Sequence, residues 1–111
     1  MIDVKNVREG ILKEAIVAVN GSREEDYGDA EDNFHRIAGL WSTYMASKWV
    51  NQSADFNPLR WFSAVDVANM LILLKIARTL TGTGKRDNWV DIAGYAACAA
   101  GIEAAKALHD E

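Results

Sequence analysis

Three pairs of polar side chains combine a helical spacing with the chemistry needed to hold a divalent cation. They are Glu31 with His35, Asp66 with Asn69, and Asp87 with Asp91. Residues three or four apart lie side by side on a helix surface. Carboxylates gathered in one place repel one another unless cations join them, and Mg²⁺ or Mn²⁺ with oxygen ligands relieves that repulsion. If the starts of these helices meet, the spacing predicts a metal site.

Structural roles compete with this interpretation. Ser63 and Asp66 match a capping box, and the helix dipole favours acids such as Asp87 and Asp91 near a helix N-terminus. His35 also fits a hydrogen-bonded histidine between helices. Asn69 lies among apolar residues, where an amide without a partner costs about 1–3 kcal/mol, and this favours a role in the site.

Cations and aromatic rings also occur near the acids in the sequence, and this combination is typical of a site that binds a phosphorylated ligand. The candidate cations are Arg23, Lys75 and Lys85, and the candidate rings are Tyr27, Trp41 and Tyr95. Cations neutralise phosphate charge, and a ring stacks on a base. Solvated cations and rings packed in the core are the structural alternatives.

Composition limits the class of protein. The 111 residues fit one domain, 1–111, and the content of 50% hydrophobic and 25% charged residues is ordinary for a globular chain. A net charge of −4 argues against a nucleic-acid binder. Cys98 is the only cysteine, which excludes an internal disulfide. The charged start and the interrupted apolar segments predict a soluble, cytoplasmic protein that does not associate with membranes.

Hydrophobic periodicity predicts four helices and only weak strand signals. The helices run from about Val4 to Asn20, from Asp29 or Ala30 onward, from just after Ser63, and from Asp87 or Asn88 to about Leu108. We therefore expect an all-α antiparallel bundle of about four helices. The third helix is apolar almost all round, which places it at the centre of the domain or of an oligomer.

Three strings of the sequence resemble a known family when they are taken together and in order. REEDYGDAEDNFHRIAGLW, DVANMLILLKIAR and DNWVDIAGYAA are similar to a short, phage-associated branch of the MazG-like, all-α nucleoside triphosphate pyrophosphohydrolases. The resemblance covers about residues 22 to 100. It implies a helical, oligomeric enzyme, a dimer or tetramer, that uses Mg²⁺ to cut a nucleoside triphosphate into the monophosphate and pyrophosphate.

The resemblance also implies roles for particular residues. Members of the family hold the metal with an acidic pair three residues apart on one helix and a Glu-x-x-Asp on the next. Asp66 and Asn69 look like the second pair, with asparagine in place of aspartate. Glu31 is followed at three residues by Phe34, so the first pair is not reproduced. Asp87 and Asp91 are then candidates for the missing charge.

The resulting hypothesis assigns a role to each group. Glu31, Asp66, Asp87 and Asp91 hold the metal, with Asn69 beside them, and one acid takes the proton of the attacking water. Lys75, Lys85 or Arg23 neutralises the leaving pyrophosphate, and Tyr27, Trp41 or Tyr95 contacts the base. Two alternatives remain: a protein of the same fold that binds a nucleotide without turnover, and a structural helical adaptor.

Overall fold

The computed structural model describes residues 2–21, 29–48, 61–82 and 85–110, and within these ranges the regular elements are all helices. The helices are α1 (Val4–Asn20), α2 (Ala30–Lys48), α3 (Ala64–Thr79) and α4 (Arg86–Asp110). All four helices begin, and α1 and α4 also end, within about two residues of the predicted positions, the usual uncertainty of helix ends. The predicted all-α class is confirmed for the described part of the chain.

Local hydrogen bonds set the helix starts. The Asp3 carboxylate accepts the N–H of Lys5 at 2.9 Å, which caps α1. At α3, the Ser63 hydroxyl accepts the N–H of Asp66 at 3.1 Å, and the Asp66 carboxylate accepts the N–H of Ser63 at 2.9 Å. The predicted capping box is therefore confirmed, and it satisfies two amides that would otherwise lack a partner. After α3 the chain turns at Gly82, whose φ of 72° suits a residue without a side chain.

The core forms where α3 packs against α2 and α4. Val67 and Ala68 of α3 are fully buried, with Phe34 of α2 and Ile102 of α4 in the same cluster. The small residues on α3 allow its neighbours to approach closely. Ser42 is also fully buried, and its hydroxyl accepts the N–H of Phe62 at 3.0 Å, which fixes α2 to the segment that enters α3.

α3 runs antiparallel to both α2 and α4, as predicted. Lys75, near the end of α3, contacts Asp91 near the start of α4. Ala30 at the start of α2 and Lys75 line the same cavity, while Ser42 further along α2 contacts the entry to α3. Only six residues separate α3 from α4, and a connection this short favours antiparallel neighbours.

α1 departs from the expected antiparallel order, because it runs parallel to α4. Glu14 pairs with Arg86 at 2.7 Å, and Val19 lies beside Gly94, so residue numbers rise together along the two helices. Ala18 and Ala30 line one cavity, so α1 ends close to where α2 begins. Among the described helices none has the length and apolar composition that a membrane crossing requires.

Candidate functional site

A cavity of about 500 Å³ lies where the end of α1, the start of α2, the last turns of α3 and the first turns of α4 meet. Most of its wall is apolar. The polar and ring-bearing residues that line it are Asn33, Phe34, Lys75, Asp91, Tyr95 and Cys98. Small-molecule sites are commonly cavities of about 300–1,000 Å³ with mostly apolar walls and a few polar groups that orient the ligand. We refer to this cavity as the four-helix pocket.

A nearly buried ion pair forms the polar side of the four-helix pocket. The Nζ of Lys75 lies 2.9 Å from Oδ2 of Asp91, and the two side chains are 15% and 8% exposed. The charges tolerate burial because each compensates the other. Lys75 was expected near the phosphates and Asp91 among the metal ligands, and the fold brings both to one cavity wall.

Aromatic residues form an adjoining wall. The rings of Phe34 and Tyr95 are 6.0 Å apart between centroids and tilted by 54°, which joins α2 to α4. Both residues line the pocket, and Tyr95 remains partly exposed. Of the two predicted rings in the described part of the chain, Tyr95 lines the pocket and Trp41 does not.

Asp66 lies away from this pocket in the same subunit. Its carboxylate caps α3, and it precedes Lys75 by nine residues, or about 13 Å along a helix axis. Since Lys75 contacts Asp91, a single subunit does not bring Asp66 and Asp91 together. Asp87 and Lys85 are exposed at the start of α4, outside the pocket lining.

Three further candidate site residues, Asn69, His35 and Trp41, lie outside the lining of the four-helix pocket. Asn69 faces outward from α3 and is exposed, so the expectation of a buried amide that needs partners was wrong for the single chain. His35 is exposed on α2. Trp41 is half-buried and packs edge-on against Phe62 with centroids 5.9 Å apart, which is the core role rather than a base platform.

The remaining candidates lie outside the described part. Arg23 and Tyr27 fall within residues 22–28, and the side chain of Glu31 is likewise not described. Among the side chains that are described, no three acids, histidines or cysteines come close enough to hold a metal ion together. The predicted multi-acid cluster is therefore not assembled from Asp66, Asp87 and Asp91 of one subunit.

Asn33 is a pocket residue that the sequence reasoning missed. It lies one turn before Ile37, at the margin of the apolar stripe that begins with Phe34, and all three residues line the pocket. The signal in the sequence is a polar residue at the edge of an apolar helix face.

The family model described as "Domain of unknown function (DUF6378)" matches residues 10–103, which include α2, α3, most of α1 and α4, and every residue that lines the four-helix pocket. The chain belongs to this family. No solved structure matches it.

Curated relatives of the chain come from bacteriophages. It is 45% identical over 86 residues to the Gene 55 protein of Mycobacterium phage L5, covering 78% of this chain and 47% of the relative. It is 42% identical over 91 residues to the Gene 55 protein of Mycobacterium phage D29, covering 81% of this chain and 51% of the relative. The chain thus spans about half the length of these phage relatives.

Proposed function

We propose that the chain is a MazG-like nucleoside triphosphate pyrophosphohydrolase that binds its substrate in the four-helix pocket. The observation that carries the proposal is the meeting of Lys75, Asp91 and Tyr95 in one cavity of about 500 Å³. A cation binds phosphate oxygens, a carboxylate holds that cation or a metal ion, and an aromatic ring contacts the base. The reaction would yield a nucleoside monophosphate and pyrophosphate in the cytoplasm.

The proposed roles follow from the burial of each group. Lys75 binds a phosphate oxygen, because an ammonium group is a strong donor to phosphate and is little hydrated at 15% exposure. Asp91 holds that ammonium group in place at 2.9 Å. The Tyr95 ring, supported by Phe34, presents a surface to the base.

Magnesium is the cofactor of this proposal, and the described donors fit it only in part. Asp91 and Asn33 supply carboxylate and amide oxygens at the pocket. Mg²⁺ in nucleotide sites is held by one or two carboxylates together with water and substrate phosphates, so a protein site with few donors agrees with an ion that enters with the triphosphate. When bound, the ion would neutralise phosphate charge and activate a water molecule.

Nucleotide binding without turnover is the second candidate. It is favoured by the engagement of the Asp91 carboxylate with Lys75 and by the lack of a three-acid group among the described side chains. A carboxylate that is already neutralised by an ammonium group attracts a metal ion less than a carboxylate beside other acids. This candidate keeps the pocket and its ligand and omits the hydrolysis.

The deciding experiment incubates the full chain with each common ribo- and deoxyribonucleoside triphosphate and Mg²⁺, and measures both monophosphate and pyrophosphate. Appearance of both products in equal amounts supports hydrolysis between the α and β phosphates. Saturable binding by calorimetry without product supports the second candidate. If neither product nor binding is found, and no nucleotide shifts the melting temperature, the chain is a structural adaptor.

A matched pair of variants locates the site. Lys75→Gln should weaken nucleotide affinity by at least about tenfold, because it removes one charge-assisted phosphate contact worth about 1.5–3 kcal/mol. Lys106→Gln removes an exposed charge near the other end of α4 and should leave affinity unchanged. Equal affinity in both variants rejects the four-helix pocket as the site. Circular dichroism checks that each variant remains folded.

A further inference from the structure

Asn88, near the start of α4, is a polar residue that the fold leaves only 7% exposed. Its backbone N–H donates to the Lys85 carbonyl at 3.0 Å, but its side-chain amide makes no hydrogen bond within the described part of the chain. In the same part, no fully enclosed side-chain N or O atom lacks a partner, so the amide atoms of Asn88 must reach water through a small opening. A nearly buried amide at such an opening is available to a ligand.

The packing of α3 on α4 shows which residue lies opposite Asn88. Each step forward along α3 is matched by an equal step backward along α4, because the two helices are antiparallel. The matching residues are Ala64 with Ile102 in the core cluster, Leu71 with Tyr95 in the wall of the four-helix pocket, and Lys75 with Asp91 in the ion pair. One further step of three residues keeps to the same side of each helix and places Arg78 opposite Asn88.

Arg78 brings a positive charge to this end of the pocket. Its side chain is exposed, and no carboxylate in the described ranges pairs with it. Lys75, one turn earlier on α3, is already neutralised by Asp91. The flanking Lys85 and Asp87 are both exposed and opposite in sign, so their charges offset each other. The charge of Arg78 is therefore available to an anion.

A guanidinium group opposite an amide suits a phosphate group. The guanidinium donates two parallel hydrogen bonds to phosphate oxygens, and the amide N–H₂ donates another. Leu71 and Lys75 line the four-helix pocket, and Arg78 continues the same side of α3 about 4.5 Å further along the helix axis. A polyphosphate that is held at Lys75 can therefore extend to Arg78 and Asn88 at the mouth of the pocket.

We propose that Arg78 and Asn88 form a subsite for the terminal phosphates of the substrate, the part that leaves as pyrophosphate. This inference rests on the proposed function, because it takes the phosphate beside Lys75 to be the one nearest the sugar. The two cations of α3 then have different tasks. Lys75 holds the phosphate that stays with the nucleoside, while Arg78 and Asn88 hold the two phosphates that depart.

Calorimetry of the full chain with inorganic pyrophosphate and Mg²⁺ tests the subsite without a base or a sugar. Arg78→Gln should weaken pyrophosphate binding by at least about tenfold, because it removes a bidentate contact between charged groups. Arg8→Gln is the matched control and should bind pyrophosphate as the unmodified chain does. Arg8 is also exposed, and it lies ten residues before the pocket residue Ala18, about 15 Å along α1.

Asn88→Asp tests whether Asn88 faces Arg78. A carboxylate at this position should pair with the guanidinium and repel the ligand, so pyrophosphate affinity should fall by at least about tenfold. In an Arg78→Gln background the same carboxylate has no cation to pair with. Asn88→Asp should then lower the melting temperature by at least about 4 °C more than it does in the unmodified chain. Equal changes in the two backgrounds reject the contact.

The failure of this subsite is distinguishable from the failure of the proposed function. The subsite alone is rejected if Arg78→Gln and Arg8→Gln bind pyrophosphate equally well, or if the unmodified chain binds nucleoside triphosphates but not pyrophosphate. If the unmodified chain binds neither pyrophosphate nor any common nucleoside triphosphate, the proposed function fails and the subsite fails with it. Circular dichroism checks that each variant remains folded.

Discussion

Lys75 and Asp91 join the last turns of α3 to the first turns of α4 through a contact of 2.9 Å between Nζ and Oδ2, with little of either side chain exposed to water. This pair does two things at once. It links the helices that form most of the core, and it places a cation at the wall of the four-helix pocket. Stability and the proposed ligand binding therefore involve the same two residues.

Lys75→Met should lower the free energy of unfolding by about 3 kcal/mol, because it leaves the Asp91 carboxylate in a largely buried position without its ion-pair partner. The double variant Lys75→Met/Asp91→Leu should regain most of this loss, because it removes both charges. Urea denaturation measures both changes. Glu14→Gln, at the exposed pair with Arg86, is the control and should cost less than about 1 kcal/mol. Losses of equal size at the two pairs would contradict this explanation.

Ser42→Ala should destabilise the chain by about 1–3 kcal/mol, because the N–H of Phe62 then loses its acceptor in a partly buried position. Ser47→Ala is the matched control. The Ser47 hydroxyl is exposed and donates only to the Thr43 carbonyl within α2, so its loss should change stability by less than about 0.5 kcal/mol. Thermal melts of the two variants make the comparison. If the Ser42→Ala chain is as stable as the Ser47→Ala chain, the Ser42 hydroxyl does not stabilise the contact between α2 and the segment that enters α3.

Gly94→Val should destabilise the packing of α1 on α4 by about 1–3 kcal/mol. A side-chain carbon at Gly94 meets Cγ1 of Val19 at 3.3 Å, so a branched side chain must push the two helices apart. A Cβ atom at Gly39 meets no atom within 4 Å, so Gly39→Val should be close to neutral or slightly stabilising, since glycine is a poor helix former. Denaturant midpoints of the two variants compare their stabilities. If Gly39→Val costs as much as Gly94→Val, crowding between α1 and α4 is not the cause.

Ser63→Ala and Asp66→Ala should have nearly the same effect, a loss of about 1 kcal/mol each, because each removes one half of the α3 capping box. Nucleotide affinity should be unchanged in both variants, since Asp66 lies about 13 Å along α3 from Lys75. Calorimetry with a nucleoside triphosphate and Mg²⁺ checks this result. A selective loss of binding or turnover in Asp66→Ala would restore the metal-ligand role that the family resemblance implies.

Much of the helical structure was predictable because its signals act over a few residues. Ser63 and Asp66 are three residues apart, and their mutual hydrogen bonds fix the start of α3 without help from the rest of the fold. Phe34 and Ala38 are likewise four residues apart, so they share one side of α2, and both are buried. Periodicity and capping therefore predicted the helices. Four predicted helices with only weak strand signals predicted the all-α class.

The orientation of α1 was not predictable in this way. Its parallel packing on α4 depends on contacts between residues far apart in sequence, such as Glu14 with Arg86 and Val19 with Gly94. Asn69 shows a related limit. An apolar helix with two apolar sides does not reveal which side faces the core, so the outward position of Asn69 required the packed structure.

The sequence by itself determined where the helices begin, which residues carry charge and which helix is apolar on every side. The tertiary structure decided which of those charges meet: Asp91 pairs with Lys75 across the α3–α4 turn, while Asp66 remains at its cap. The physical reason is distance along the chain. Helix caps and hydrophobic periodicity depend on residues only a few positions apart. The residues that line a pocket depend on the directions in which whole helices pack.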